Sequence, residues 1–365
     1  MDFTPTEAAG DLTGLTNDIT ARLATSERTA RLEADKAPID RDLWREIAAS
    51  GLLGLAASSA RAGEAGADLT ALETTAVATA LGRALARVPF AQHAVAAVPL
   101  LDAHGPDSLT DLLVHAASGD AVVTAAVEED IAFDLLTPAT TFDGSTVSGV
   151  KVNVPYAAAA DAFLVIAAGE DGPVAAMVSA GDGVEIVETA ATGLTPVHTV
   201  TFTGARATVL DGGATTAATA RDLLRLGVAA DQAGVVAGAL EATAEYARDR
   251  EQFGRKIGSF QAVAQRLADD YIDVQALSLT VAQAAFAFAG DTAPAEVSDA
   301  VSTAAFWTAE AGHRVAHTTV HVHGGVGLDT SHPVHRFFLR AKQNEFTYGS
   351  APVVLAELGE ALAAR

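Results

Sequence analysis

The hydrophobic period of this chain changes twice, and that double change constrains its fold more than any other feature. From Met1 to about Gly119 apolar residues recur at helical spacing, as in IDRDLWREIAASGLLGL and DLTALETTAVATALGRALARV. Between about Asp120 and Gly213 the texture becomes one of β-branched runs (AVVTAAV, STVSGVKVNV, AFLVIAAG, AAMVSA, HTVTFTG, ATVLDG) divided by Gly, Asp and Pro turn signals. After Thr215 the helical period returns in longer pieces. Leu226, Ala233 and Leu240 share one seven-residue track and Leu223, Ala230 and Ala237 its neighbour, so one stripe must pack on other helices. Leu267, Tyr271, Val274, Leu277 and Val281 repeat the pattern; GDTAPAEVSD ends that helix, and the next runs to Gly324-Gly325. Leu355, Leu358 and Leu362 mark a last amphipathic helix. The pattern predicts an α+β chain, mostly α. A helical domain spans 1–119, an antiparallel sheet or barrel 120–213, and a helical bundle 214–365.

Charge and composition remove several functions. The chain carries 46 acidic and 23 basic residues in 365, a formal charge of −23, which repels nucleic acid and anionic membrane surfaces. It has no cysteine, which excludes disulfides, zinc-thiolate sites, iron–sulfur clusters and a thiol nucleophile. The N-terminal MDFTPTEAAGDLTGL has neither a basic n-region nor an apolar h-region, and no run reaches the ~18 apolar residues of a spanning helix. A cytoplasmic location is the expectation.

The most informative segment runs from Tyr246 through Arg250-Glu251-Gln252-Phe253-Gly254-Arg255-Lys256-Ile257-Gly258-Ser259-Phe260-Gln261. Tyr246 and Arg250 lie four apart on a helix, Gly254 and Gly258 break it, and Ser259 can cap the next one. An arginine fork and a helix N-terminus together form a plausible seat for a diphosphate. Read alone, the same residues also describe a solvated charged turn. Six histidines, His313, His317, His321, His323, His332 and His335, raise a metal site, because the first three fall at i, i+4 and i+8. No carboxylate completes a catalytic set on that helix face, so packing histidines are expected and no metal is assigned. HGGVG follows a helix rather than a strand, which removes a Rossmann reading.

RxQFGRxIGxFQ is similar to a signature of the acyl-CoA dehydrogenase family, and a second one follows at the expected distance: His321-Val322-His323-Gly324-Gly325-Val326-Gly327, then Pro333-Val334-His335-Arg336. DLWREIAASGLLGL and ALGRALARVPF resemble the family's first helical domain, so the resemblance spans nearly the whole chain. It implies a helix–barrel–helix fold whose C-terminal domain is of the four-helix type. It also implies FAD as cofactor, with Arg250, Phe253, Gln261, His321, Gly324 and Gly325 touching a flavin housed mainly by a neighbouring subunit.

The resemblance fails where the chemistry sits. Dehydrogenation of an acyl thioester needs a base for the α-proton while the flavin takes the β-hydride. In most of the family that base is the glutamate of Tyr-Glu-Gly-Thr, fifteen residues after the proline of PVxR; here that count reaches Tyr348, within Thr347-Tyr348-Gly349-Ser350. Other members place it 29 residues before the FG phenylalanine, which is Leu224 here, beside Arg225, a counterpart of a family arginine and a candidate substrate contact. Glu345 is a candidate relocated base. The flavin-facing TEPxAGSD loop has no match in VTAAVEEDIAFDLLTP, and Asn153-Val154-Pro155-Tyr156 replaces the family's Trp-Ile-Thr-Asn.

Elements that would serve a neighbour's flavin remain, and elements that would serve the chain's own are missing. GGVGLDTSHPVHRFFLRAKQ resembles the partner subunits of actinobacterial acyl-CoA dehydrogenases that shorten sterol side chains, and this resemblance implies the base-less subunit of a heteromeric, α₂β₂ acyl-CoA dehydrogenase. A dehydrogenase-like companion would supply the glutamate and the acyl-CoA pocket, and an electron-transferring flavoprotein would accept the electrons. Alternatives are a homo-oligomeric flavoenzyme with a relocated base or with Tyr348 as proton donor, and a structural partner without flavin.

Overall fold

The computed structural model describes residues 3–130 and 134–365. Seven α-helices come first: α1 (Glu7–Leu23), α2 (Ser26–Ala34), α3 (Arg41–Ala49), α4 (Ser59–Ala62), α5 (Ala71–Arg83), α6 (Val98–His104) and α7 (Thr110–Ser118). Their starts follow from local chemistry. Thr6 and Thr25 cap α1 and α2, Asp40 accepts from the Asp42 and Leu43 amides at the head of α3, and Thr70 forms a capping box with Glu73 at α5. A π-helical turn, Ala91–Ala97, leads into α6. Buried His93 on that turn contacts the Ala116 carbonyl through Nε2 at 2.9 Å and accepts the Val123 amide at Nδ1 at 3.0 Å, which fixes where the sheet begins.

Seven strands follow: β1 (Val123–Ala126), β2 (Thr141–Phe142), β3 (Thr146–Pro155), β4 (Ala162–Gly169), β5 (Gly172–Ser179), β6 (Val184–Thr189) and β7 (Val197–Val209). β4 pairs with β5, β5 with β7, β7 with β3, β3 with β2 and β2 with β4, so the sheet closes on itself. The closed sheet encloses Val147, Phe163, Val165, Val200 and Phe202, while β1 and β6 each pair on one side only, with β4 and β7. The sequence suggested an antiparallel sheet or barrel. The structure adds two parallel contacts, β1 on β4 and β2 on β4, because β1 enters from the helical domain beside the strand that follows it in space.

The bundle consists of α8 (Ala214–Asp249), α9 (Gln261–Ala289), α10 (Pro294–His323), α11 (His335–Phe346) and α12 (Ala351–Ala363). α8 is the axis of the molecule. By length and hydropathy it and α9 are each long and apolar enough to cross a membrane, although polar residues interrupt both, but α8's apolar stretch is 89% buried among protein. Its leucines join two cores. Leu226 and Ala233 pack with Trp44, Leu81, Leu277 and Val301, while Leu223, Leu224 and Val228 pack with Leu100, Leu113, Leu164 and Met177. α5 approaches α8 so closely that a Cβ on Gly82 would collide with the Asp231 carbonyl, and one on Gly234 with the Thr79 carbonyl.

Candidate functional site

Two places in this architecture carry chemistry, and they are separate. The first is a cleft of about 390 Å³ where all three layers meet. Gln92 lines it from the π turn, Glu128 from just beyond β1, Asn153 and Tyr156 from the end of β3, Asp231 from α8, and residues of α11 through Thr347 from the bundle. The end of β3 is irregular. Its pairing with β7 slips between Lys151 and Val154, and Asn153 and Tyr156 take φ of 52° and 55°, a region side chains enter only when their surroundings hold them there.

An ionic network fills one wall. Arg340 makes a two-pronged pair with Asp231 at 2.9 Å for each prong, and it also donates to the Tyr156 hydroxyl at 3.2 Å and to the Thr195 hydroxyl. Asn344 donates to Asp231 at 2.7 Å and to the Gln232 carbonyl oxygen at 3.1 Å; Gln232 in turn donates to the Thr308 and Ala341 carbonyls. Burial works against the Arg340 charge, but Asp231 and Tyr156 outweigh it and drive its pKa upward. Sequence reasoning missed this network. The available signal was Arg336, Arg340 and Asn344 at i, i+4 and i+8, a polar stripe on a helix that must face the core.

The two positions where the family resemblance expects a base come together in space. Leu224 is fully buried and Tyr348 2% exposed, and both belong to the same apolar cluster. Burial, reinforced by the charge of Glu128, pushes the Tyr348 phenol far above its usual pKa, and its hydroxyl meets only the Gln92 amide at 3.4 Å. That position holds no working base. Glu345 lies outside the cleft lining, where it accepts from Lys342 at 2.5 Å and contacts His313 Nδ1 at 3.2 Å. Arg225 is locked: it donates to the Tyr348 carbonyl at 2.9 Å and grips Glu357 with both prongs, leaving its side chain 1% exposed. Of the unmatched flavin-facing segment, residues 131–133 lie outside the described residues.

Of the two carboxyls that line the cleft, Asp231 is taken up by Arg340 and Asn344, which leaves Glu128. Glu128 accepts from the Tyr348 amide at 3.0 Å, and burial raises its pKa to about 7 against the pull of that hydrogen bond. Sequence reasoning did not single it out, since its segment was compared only with the family's TEPxAGSD loop.

The second place is one end of the bundle. α8 and α10 run side by side, with Thr243 donating to Thr319 at 3.2 Å and Tyr246 stacked on His323 at 4.3 Å. The RxQFG turn after α8 and the Gly-Gly turn after α10 are therefore neighbours. Arg250, Phe253, Gln261, His321, Gly324 and Gly325 are all exposed there, Phe253 by 93%, and none lines the cleft. A two-stranded ribbon, β8 (Glu251–Gln252) with β9 (Arg255–Lys256), shapes the turn, with Phe253 and Gly254 at φ of 52° and 77°. Arg255 lies 4.0 Å over the Phe260 ring. Gly254, Gly324 and Gly325 face open space. The histidines around this end and along α10 fall into two ring contacts, His313 with His317 at 4.4 Å and His323 with His332 at 5.9 Å; His323 also contacts the Thr319 carbonyl, His335 that of His332, and His317 packs on Phe338.

Comparison with known proteins places this geometry in a family. Residues 211–363 match the model of the acyl-CoA dehydrogenase C-terminal domain. Over the whole chain and 99% of the relative, the sequence is 44% identical to acyl-CoA dehydrogenase FadE27 of Mycobacterium tuberculosis. This chain belongs to the acyl-CoA dehydrogenase family, oxidoreductases acting on CH–CH bonds. Among solved structures it matches the ChsE4–ChsE5 complex of Mycobacterium tuberculosis over all of both chains, with 43% identity and a TM-score of 0.93. The Tcur3481–Tcur3483 steroid ACAD matches over 99% of both chains, with 36% identity and a TM-score of 0.93.

Proposed function

We propose that this chain is the partner subunit of a heteromeric, FAD-dependent acyl-CoA dehydrogenase and lends its bundle end to a flavin housed by a companion chain. One observation carries the reading: the six cofactor-type residues are exposed together, and none of them reaches the chain's own cleft. Such residues can serve only a ligand presented from outside.

The bundle end fits the diphosphate half of FAD. Arg250, Arg255 and Lys256 are exposed cations in a chain of strong net negative charge, and the bare glycine backbone lets an anion approach closely. Phe253 offers a ring to an adenine or to the companion's surface. The chain's own cleft fits a flavin ring poorly, since Tyr156 and Arg340 are tied together along its wall and both family base positions are filled by Leu224 and Tyr348. When bound, FAD supplies hydride acceptance from the β-carbon of the acyl thioester. This chain's residues would hold its phosphates, orient it and shield the interface from water.

The match to the ChsE4–ChsE5 complex supports a heteromeric assembly, for which we propose α₂β₂ stoichiometry, and the match to the Tcur3481–Tcur3483 steroid ACAD supports a steroid-type acyl-CoA as substrate. An electron-transferring flavoprotein is the proposed acceptor. The test is the visible absorption spectrum of the chain purified alone and after co-expression with its dehydrogenase-like companion. Flavin bands at about half an equivalent per chain, in the co-purified complex only, are expected. A full equivalent of FAD in the isolated chain overturns the reading.

A further inference from the structure

β1 ends by sending two consecutive carboxyls to opposite sides, as the alternation of an extended chain requires. Glu129 turns toward the barrel, where it takes a 2.7 Å hydrogen bond from the fully buried Lys151 and accepts the Ala139 and Thr140 amides. Its partner set is complete. Glu128 turns the other way, into the cleft. One of its oxygens is held by the Tyr348 amide, while the other has no hydrogen-bond partner among the described residues and is not sealed off from the cavity.

Among the described residues no cation neutralises it. From α11, Arg340 is engaged by Asp231 and Lys342 by Glu345; from α8, Arg225 is engaged by Glu357; from β3, Lys151 lies on the far face with Glu129. The other titratable groups lining the cleft are Asp231, paired with Arg340, Lys342, paired with Glu345, and the Tyr156 hydroxyl, which accepts from Arg340; the neutral phenol of Tyr348 on the α11–α12 turn stands beside Glu128, and Gln92 faces it from the π turn without charge. A carboxyl without a counter-ion, pinned by one oxygen and open at the other, is an arrangement that structural ion pairs do not produce.

We propose that Glu128 is a proton-transfer residue of this cleft, its free oxygen removing and returning an α-proton of an acyl thioester bound there. The inference rests on the substrate class of the family reading but requires neither flavin nor companion. In the forward step the α-C–H bond breaks, its electron pair remains on the enolate, and an O–H bond forms at Glu128. In the return step the carboxyl, having exchanged its proton with water, reprotonates the α-carbon. Nothing is oxidised. Gln92 and Asn153, both lining the cleft, are the neutral donors available to the thioester oxygen. Because Glu128 is bonded to the backbone of Tyr348, it brings a carboxyl from the opposite wall to the corner where the family signature has one. An acidity near neutrality suits a group that must both take and give a proton.

The test uses the full-length chain with octanoyl-CoA in D₂O, following α-deuteration by mass spectrometry. Exchange should rise with pH through about 7 and fall by about 100-fold in Glu128→Gln. Glu128→Asp should keep the pH profile at a lower rate, and Glu345→Gln, which removes a carboxylate outside the cleft, should match the wild type. Melting curves establish that each variant is folded. Unchanged exchange in folded Glu128→Gln overturns the proposal, as does a wild-type chain that shows no exchange, whether or not it binds octanoyl-CoA. A yellow companion complex with no such exchange sinks this inference alone, while exchange without flavin uptake sinks only the cross-interface reading.

Discussion

Replacing Arg340 with methionine asks how much of the cleft wall depends on one guanidinium. The Arg340→Met change keeps most of the side-chain volume and removes the charge, so Asp231 keeps only the Asn344 amide among its side-chain donors, with its own side chain 11% exposed. The Tyr156 and Thr195 hydroxyls lose their shared donor at the same time. Breaking one side of a buried pair costs about 3–5 kcal/mol, because the surviving charge stays desolvated. For a chain of this length, an unfolding entropy of about 2.1 cal/mol/K per residue turns that loss into a fall in Tm of roughly 4–7 °C. Asp231→Leu should cost about as much, since it strands the cation instead. The double variant should recover most of the loss, because an apolar pair leaves no buried charge behind. Calorimetry on the four proteins closes the cycle, with a coupling expected to be at least as large as either single loss, about 3–5 kcal/mol or more. Additive single effects, or a Tm within about 1 °C of wild type in Arg340→Met, would refute the view that this pair holds the wall.

Asp270 is 2% exposed and one of its oxygens has no partner; burial, with Asp273 and Asp269 nearby, raises its pKa to about 7. A raised carboxyl binds its proton more tightly folded than unfolded, so its contribution to stability falls as pH climbs from about 4 to 7, and Asp270→Asn should gain Tm on the wild type over that window; an equal difference at pH 5 and pH 8 would contradict this. Gly82→Ala should lower stability by about 1–3 kcal/mol by driving α5 off the Asp231 carbonyl, and an unaltered melting curve would count against the close approach. Arg250→Ala should leave the Tm of the isolated chain unchanged, because the residue is exposed, yet cut the flavin content of the companion complex; full flavin retention would remove Arg250 from the cofactor rim.

The three-zone layout was legible because periodicity reports which faces are buried, and α8, with apolar residues on both of its tracks, is buried nearly all round. The closure of the sheet was not legible, since strand order depends on which edges meet and not on any one strand. The two turn motifs were legible because each is contiguous in sequence, whereas their meeting at one end of the bundle comes only from the fold. Asp231, Gln232, Arg340 and Asn344 could not be paired beforehand, as 109 residues separate Asp231 from Arg340 and only the fold supplies the contact. Glu128 was hidden differently. Nothing in the sequence distinguishes the two adjacent glutamates, and only the way the chain leaves β1 shows that one meets a lysine and the other a cavity.

The same geometry determines what restoring the family glutamate at position 348 should achieve. Tyr348→Glu would place a carboxyl at φ of 60°, among Leu224, Val228 and Leu100, within reach of Glu128. Two carboxyls sharing an apolar corner cannot both ionise, so the pair should bind one proton between them well above the ordinary carboxylate range. Arg225 cannot relieve them while Glu357 holds both of its prongs. The phenol's volume would also be lost from a packed cluster, at a cost of about 2–4 kcal/mol. The variant should therefore be less stable, most of all at high pH, and should remain colourless and without dehydrogenase turnover when purified alone, because the Arg340–Tyr156 wall is untouched. If Tyr348→Glu by itself took up FAD and oxidised an acyl-CoA, the cleft would be an intact flavin site lacking one residue, and the division of labour between this chain and a companion would have to be abandoned.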